Sequence, residues 1–256
     1  MGELERALDF LGLADHGGTR REAFAYGTAV FDERVPRRWD SNYLLVEQVP
    51  DGVGAKELAA EAERVQGAAG LAHRKLELRD EAAGERLEPQ FRALGWTVNR
   101  HLLMAMRRES DREPDRSRVR EVDAAALRDV RAKQIHGYAW GADPEVVEQL
   151  YEAKLFLSRV VDARFFAVVI DEQPVSWTDL YVADGIAQIE DVGTLEDHRG
   201  RGYASAVVLH AADEARTAGA ELVFLVADDE DWPKELYRKL GFDELGRVYE
   251  YLLAGS

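Results

Sequence analysis

The sequence predicts an α/β fold of two similar lobes, each a mixed twisted sheet flanked by helices. Three observations lead there. The chain has 256 residues, enough for one large domain or two modest ones and for a core that needs no staples. Its second half alternates helical and extended apolar patterns, with the later strands separated by helices as crossover connections require. Finally, the stretch Tyr237-Arg238-Lys239-Leu240-Gly241-Phe242 is echoed far upstream by Phe91-Arg92-Ala93-Leu94-Gly95-Trp96.

In chain order, the first half is the less regular. Gly70 followed by Leu76 and Leu78 parallels Gly219 followed by Leu222, Phe224 and Val226. An apolar strand follows each echo, Leu102-Leu103-Met104 in one half and Tyr249-Glu250-Tyr251-Leu252 in the other. A helix, a Leu-Gly step, an aromatic residue and a strand recur by chance in α/β proteins, but the matching flanks argue for a tandem repeat. Residues 107–116 lack apolar side chains and contain Pro114. They read as a linker that divides the chain into 1–112 and 113–256; a solvated loop within one domain is the alternative.

The second half is more explicit. Residues 122–135 have helical apolar spacing with Asp123 as N-cap. Asp143-Pro144 opens a second helix through Val146, Val147, Leu150 and Leu155, since proline suits a first turn. Residues 164–170, 175–182 and 186–194 read as three strands, joined by turns at Glu172-Gln173 and Asp184-Gly185. A Gly-rich loop leads into a helix at 203–218 that Gly219 stops. A strand at 222–226, a short helix at 233–240 with Asp231 as N-cap, and a strand at 248–253 complete the order.

Charge narrows the function. Lys and Arg number 33 against 49 Asp and Glu, a net charge of −16. That argues against a phosphate-backbone binder, which needs a basic face, and favours a cationic partner. There is no cysteine, so disulfides, thiolate metal sites and a Cys nucleophile are excluded together, and no metal is called for. Met1-Gly2-Glu3-Leu4-Glu5 is acidic and no long apolar run follows, so the expectation is a cytoplasmic protein without a nucleic acid or membrane partner. The sequence is silent on oligomeric state and compatible with a homo-oligomer.

The chemistry concentrates at Glu196-Asp197-His198-Arg199-Gly200-Arg201-Gly202-Tyr203-Ala204, between a strand and a helix. Glycines let successive N–H groups turn toward an anion, and the helix start adds partial positive charge. A glycine pair before a helix is also an ordinary turn. The stretch lacks the Gly-Lys-Ser/Thr ending of a P-loop, and it lies too late in the chain for a dinucleotide fingerprint.

Here the sequence resembles the GNAT acetyltransferases. Their acyl-CoA motif, Gln/Arg-x-x-Gly-x-Gly/Ala, is met by Arg199, Gly202 and Ala204, and their late helix-to-strand signature by Leu236-Tyr237-Arg238-Lys239-Leu240-Gly241-Phe242. The resemblance covers about 118–253 and implies two GNAT-like lobes. The first is a degenerate copy that keeps the closing signature but has no Arg-x-x-Gly-x-Gly/Ala loop.

The resemblance implies roles. The backbone of Gly200, Arg201, Gly202, Tyr203 and Ala204 would hold the pyrophosphate of acetyl-CoA, the cosubstrate. Arg199 and Arg201 would screen its charge or simply be solvated. The main chain of Val192 and Thr194 would pair with the pantetheine arm like an added strand, with a bulge at Gly193 splaying the sheet. Tyr237 would protonate the leaving thiolate, its alternative being a core aromatic. Glu190 would be the base that deprotonates the amine, directly or through water, with Asp191 as competitor. His198 reads as a loop residue. Phe91 holds the place of Tyr237 in the first copy, without the hydroxyl. One departure concerns Asp228-Asp229-Glu230-Asp231, which stands where the family often places an Asn that contacts the pantetheine. Such acidity suits a cationic acceptor better than an anionic cosubstrate.

For the acceptor, Tyr138, Trp140, Trp177, Asp179 and Tyr181 are candidates, because aromatics with an acid suit an amine; core packing is their alternative use. Trp39-Asp40-Ser41-Asn42-Tyr43 in the first half reads either as part of a shared cleft or as a hairpin turn. The resemblance therefore implies an N-acetyltransferase that moves acetyl from acetyl-CoA to a small-molecule amine by direct attack. The rivals are an acyl-CoA-binding sensor or scaffold without turnover, and a protein lysine or N-terminal acetyltransferase.

Overall fold

A computed structural model describes residues 1–16 and 18–255, and the side chains of these except residues 14–16, 139 and 140. The first half runs α1 (Glu3–His16), β1 (Arg20–Phe24), β2 (Gly27–Phe31), β3 (Tyr43–Val46), α2 (Ala55–Ala68), β4 (Arg74–Leu78), α3 (Glu81–Ala93) and β5 (Thr97–Met106). The second runs β6 (Val119–Val122), α4 (Arg128–His136), α5 (Pro144–Leu157), β7 (Asp162–Ile170), β8 (Gln173–Ala183), β9 (Ile186–Thr194), α6 (Tyr203–Thr217), β10 (Leu222–Asp228), α7 (Pro233–Lys239) and β11 (Phe242–Leu253). None of these helices is long and apolar enough to cross a membrane.

The order expected for the second half is present, with one strand more. Four residues, Val119–Val122, form β6 ahead of α4, too short a run to show an alternation. Capping follows the sequence at α5, where the Asp143 carboxylate accepts from the Glu145 N–H at 2.9 Å with Pro144 in the first turn. Asp123, expected to cap a helix over 122–135, instead holds a 3₁₀ turn at Ala125–Leu127, its carboxylate accepting from the Ala126 N–H at 2.8 Å, and α4 starts at Arg128 without a side-chain cap. Ahead of α7 the Asp231 carboxylate instead accepts from the adjacent Trp232 N–H at 2.7 Å, and Trp232 is the cap residue.

The expectation of a separate sheet in each lobe needs correction. The strands form one sheet in the order β1-β2-β3-β4-β11-β5-β10-β9-β8-β7-β6. The halves have exchanged their last strands. β5 follows α3 of the first half but pairs with β10 of the second, and β11 follows α7 but pairs with β4. At the centre β5 and β11 pair antiparallel from Thr97↔Leu252 to Met106↔Phe242. The echoed segments thus lead into the two strands that bind the halves together.

Strand alternation sends successive side chains to opposite faces. One face carries Val98, Leu102, Met104, Ile189, Leu225, Tyr249 and Tyr251, packed under α2, α3, α6 and α7. The other carries Leu103, Ala105, Phe224 and Val248, which α1 covers through Ala7 and Phe10, while Leu127, just before α4, and Val130 on it cover Phe165, Ala167 and Trp177. The repeat is visible in side-chain geometry: Phe91 meets Trp96 edge-on at 5.1 Å between ring centres, and Tyr237 meets Phe242 edge-on at 6.2 Å.

Gly193 has a role other than the expected one. The bulge lies just before it, where Trp177↔Gly193 and Asp179↔Glu190 leave Asp191 and Val192 opposite Thr178 alone. A Cβ at Gly193 would sit 2.3 Å from the Trp177 ring, so glycine is present to admit the indole. Gly193→Ala is expected to destabilise the protein by about 1–3 kcal/mol, measured by denaturant unfolding, because the buried ring must shift.

Candidate active site

β9 and β10 start as a parallel pair and part company. Their register ends at Ile189↔Leu225, although β9 continues to Thr194 and β10 to Asp228. Beyond that point one edge of β9 stays paired to β8 as far as Ser176↔Thr194. The other edge, Glu190 to Thr194, lies beyond the last β10 pair and faces the opening; the Glu190 and Gly193 carbonyls accept from the Thr178 and Ser176 hydroxyls at 2.9 and 2.8 Å, and the Thr194 carbonyl from Arg199 at 3.3 Å. The bulge fixes this divergence. Asp191 has φ +53, a left-handed conformation that Asp tolerates better than most residues. Its carboxylate is held by Arg131 Nε at 2.8 Å and Lys154 Nζ at 3.0 Å.

Below the opening, α6 begins at Gly202 with no side-chain cap. Gly200 and Gly202 have φ +72 and +81, and a Cβ at either would meet nothing within 4 Å. The first-turn N–H groups of a helix lack intrahelical partners. This start is therefore an open cradle for an anion, with Tyr203 and Ala204 supplying amides. The Arg199 and Arg201 guanidinia are exposed and bond to carbonyls of their own loop, Thr194 and Asp197, at 3.3 and 3.2 Å.

Glu190 and Tyr237 stand near enough across the opening to interact electrostatically. Burial pushes the Glu190 carboxyl up to about 7; Lys154 opposes this, and Asp191, Asp179 and Asp40 add to it. Burial, then the Glu190 charge, raises the Tyr237 phenol above its ordinary value, so it keeps its proton at neutral pH. The pair presents a carboxyl poised near neutrality and a phenol held protonated, an arrangement suited to general base and general acid work.

Residues 128–242 match the model of the acetyltransferase (GNAT) family. That stretch is a GNAT acetyltransferase domain. No curated protein matches the chain. Among solved structures, the fold is shared with a functionally unknown conserved protein from Staphylococcus epidermidis at 18% identity, TM-score 0.71, covering 93% of this chain and 95% of that one. A GCN5-related N-acetyltransferase from Kribbella flavida matches at 20% identity, TM-score 0.65, covering 100% and 97%. A tandem GNAT protein from the clavulanic acid biosynthesis pathway matches at 14% identity, TM-score 0.52, covering 98% and 94%. At these identities the likeness is one of fold, and it extends over both halves.

The first half holds a counterpart of the GNAT cradle that the strict motif conceals. Gly52 and Gly54 precede α2 as Gly200 and Gly202 precede α6, and Gly52 has φ +86. Asp51 stands in the place of Arg199. This cradle is filled by its own chain. The Glu57 carboxylate accepts from the Gly54 N–H at 3.1 Å, and the Gln90 side-chain oxygen accepts from the Ala55 N–H at 3.2 Å. A Gly-x-Gly search without the basic residue would have found it.

Of the acceptor candidates, Trp177 and Asp179 do not line an open cleft. Trp177 lies in the core beneath Leu127 and Val130. Asp179 is fully buried, where Arg131 pairs with it, Lys154 Nζ lies 2.8 Å away and the Tyr181 hydroxyl donates to it at 2.7 Å. Tyr138 is half exposed. The side chain of Trp140 lies outside the described residues. In the acidic stretch before α7, two carboxylates are matched by the protein's own cations. Asp229 pairs with Arg247 at 2.8 Å and with Lys234 at 3.1 Å, and Glu230 pairs with Arg100 at 3.0 Å. Two of these partners, Lys234 on α7 and Arg247 on β11, belong to the second half, while Arg100 ties the stretch to β5.

Arg131 and Lys154, which anchor the bulge, were not anticipated. A charged residue on the inner side of an amphipathic helix was their signal.

Proposed function

We propose that the GNAT domain transfers an acetyl group from acetyl-CoA to the amine of a small molecule within a ternary complex. The observation that carries this reading is the β9–β10 opening, with an edge of β9 that β10 no longer covers, an uncapped Gly-x-Gly helix start after it, and Glu190 and Tyr237 across it. The cradle suits a diphosphate, and the edge of β9 around Val192, which β10 leaves beyond Ile189, suits the amides of the pantetheine arm. Glu190, directly or through water, takes a proton from the amine, whose nitrogen forms the new C–N bond as the C–S bond breaks. Tyr237 gives a proton to the departing thiolate. With no cysteine in the chain, a Cys-linked acyl-enzyme is excluded, and much of the acceleration comes from holding amine and thioester together.

Calorimetric titration with acetyl-CoA tests the reading, and an absence of binding at high micromolar concentration overturns it. Release of free thiol in the presence of an amine panel then separates turnover from mere binding. The base also has a pH signature. Glu190 must be ionised to accept a proton, so kcat/KM is expected to rise with pH through about 7. Glu190→Gln should lose that limb along with most of the activity; a wild-type profile flat across neutrality would remove Glu190 from the role.

A further inference from the structure

We propose that Asp40, a carboxylate of the first half, selects the acceptor of the GNAT domain, favouring amines that carry a second positive charge. This rests on the amine acetyltransferase reading above and deepens it. The segment that carries Asp40 is not a hairpin turn but a single 3₁₀ turn, Trp39–Ser41, laid against the second half. Buried Asn42 fixes its shape. The Asn42 side chain accepts from the Asp32 N–H at 3.0 Å and donates to the Val35 and Arg38 carbonyls at 2.9 and 3.0 Å. Its carbonyl accepts from Gln66 at 3.1 Å and lies 2.8 Å from the His73 ring nitrogen.

The same segment is docked on α5. The Arg37 N–H donates to Gln149 at 2.8 Å, and its guanidinium pairs with Asp143 and, at 3.3 Å, with Glu145. Arg34 lies 3.9 Å over the Phe156 ring. Five residues along α5 from Gln149 is Lys154, which holds Asp191 beside Glu190. One helix therefore ties Asp40 and Glu190 into a common frame. Strand alternation also puts Glu190 on the sheet face that bears Lys75 and Glu250, beneath Asp40.

Asp40 rests on the buried Lys75 ammonium, which lies 2.5 Å from Glu250 as well. Lys75 is thus shared between two carboxylates, and Arg38 also acts on the Asp40 charge. Glu250 is further held by Asn99 at 2.7 Å and His101 at 3.4 Å. Asp40 is the exposed member, with 62% of its side chain open to solvent. Its charge is also felt at Glu190. An acceptor whose nucleophilic nitrogen lies at Glu190 presents the rest of its body to Asp40. A second ammonium there gains a charge-assisted hydrogen bond, and a carboxylate is repelled.

The test compares an alkyl diamine, a monoamine of the same length and an amino acid with a carboxylate in place of the second amine. The diamine is expected to exceed the monoamine about tenfold in kcat/KM, a typical margin for one such contact, with the amino acid poorest. Asp40→Asn should bring diamine and monoamine together, chiefly through the KM of the diamine. Equal kcat/KM values in the wild type, or a preference retained in Asp40→Asn, would overturn the proposal. The wild-type comparison needs no variant, so it decides even if Asp40→Asn fails to fold. Titrating the diamine and the monoamine calorimetrically into the protein, with and without CoA, reads the same preference without turnover, and equal affinities there also overturn it. Failure of acetyl-CoA itself to bind would instead strike the acetyltransferase reading.

Discussion

Tyr237→Phe is expected to slow acetyl transfer about 100-fold, the scale of a lost general acid, with acetyl-CoA affinity nearly unchanged. The ring is the part that packs. It meets Phe242 edge-on and joins the core beneath α6 and α7, and phenylalanine preserves both contacts. Phe91 shows as much at the equivalent position of the first half, where the bare ring stacks on Tyr251 at 4.0 Å between centres. Only the hydroxyl, and with it the transferable proton, is removed. Steady-state kinetics beside calorimetry separates the outcomes: a fall in kcat alone supports proton donation, whereas equal losses in kcat and affinity would mark Tyr237 as structural.

Gly202→Glu is expected to weaken acetyl-CoA binding by about 100-fold or more. The backbone at Gly202 has φ +81, which costs a side-chain-bearing residue about 1–2 kcal/mol. The larger effect is electrostatic, because a carboxylate in an open anion cradle opposes the diphosphate, and like charges in contact cost several kcal/mol, about tenfold in Kd for each 1.4. Gly52→Glu supplies the control. Gly52 has φ +86 and open space around it, so it imposes a similar strain in the cradle that Glu57 and Gln90 already fill. Calorimetry should find acetyl-CoA affinity lost in the first variant and kept in the second; loss in both, or in neither, would refute the assignment of the loop at α6.

Local features were legible in the sequence because local physics sets them. The N-cap Asp143, Pro144 in a first turn, and the positive φ of Gly219 after α6 each follow from a few neighbouring residues. The periodic apolar runs placed β7 to β10 and α5 to α7 within a few residues. What the sequence did not disclose is non-local. Nothing in Leu102-Leu103-Met104 says that its partner is β10 rather than β4, since either neighbour presents an apolar strand. The bulge at Asp191 depends on Arg131 and Lys154, which lie on two different helices far upstream. Asp179 looked like an acceptor ligand because an acid between aromatics suits an amine, but the same charge is matched internally by Arg131 and Lys154. Trp39-Asp40 reads either as a turn or as part of a shared cleft; it forms a 3₁₀ turn beside α5, on which Arg34 and Arg37 dock, a contact no local pattern gives.

The exchanged strands bear on how the chain can be made. A ribosome delivers β1 to β10 before β11, so for most of synthesis β4 and β5 each present a bare edge where β11 will lie. Unpaired edges of this kind invite association with other chains. The first half, though complete in sequence, has no closed sheet until residues 242–253 emerge and slot between β4 and β5. The insertion joins segments far apart in the chain, which makes it an intrinsically slow step. The two halves are thus one folding unit with a late clasp, and the nascent protein is most exposed to aggregation just before its last strand arrives.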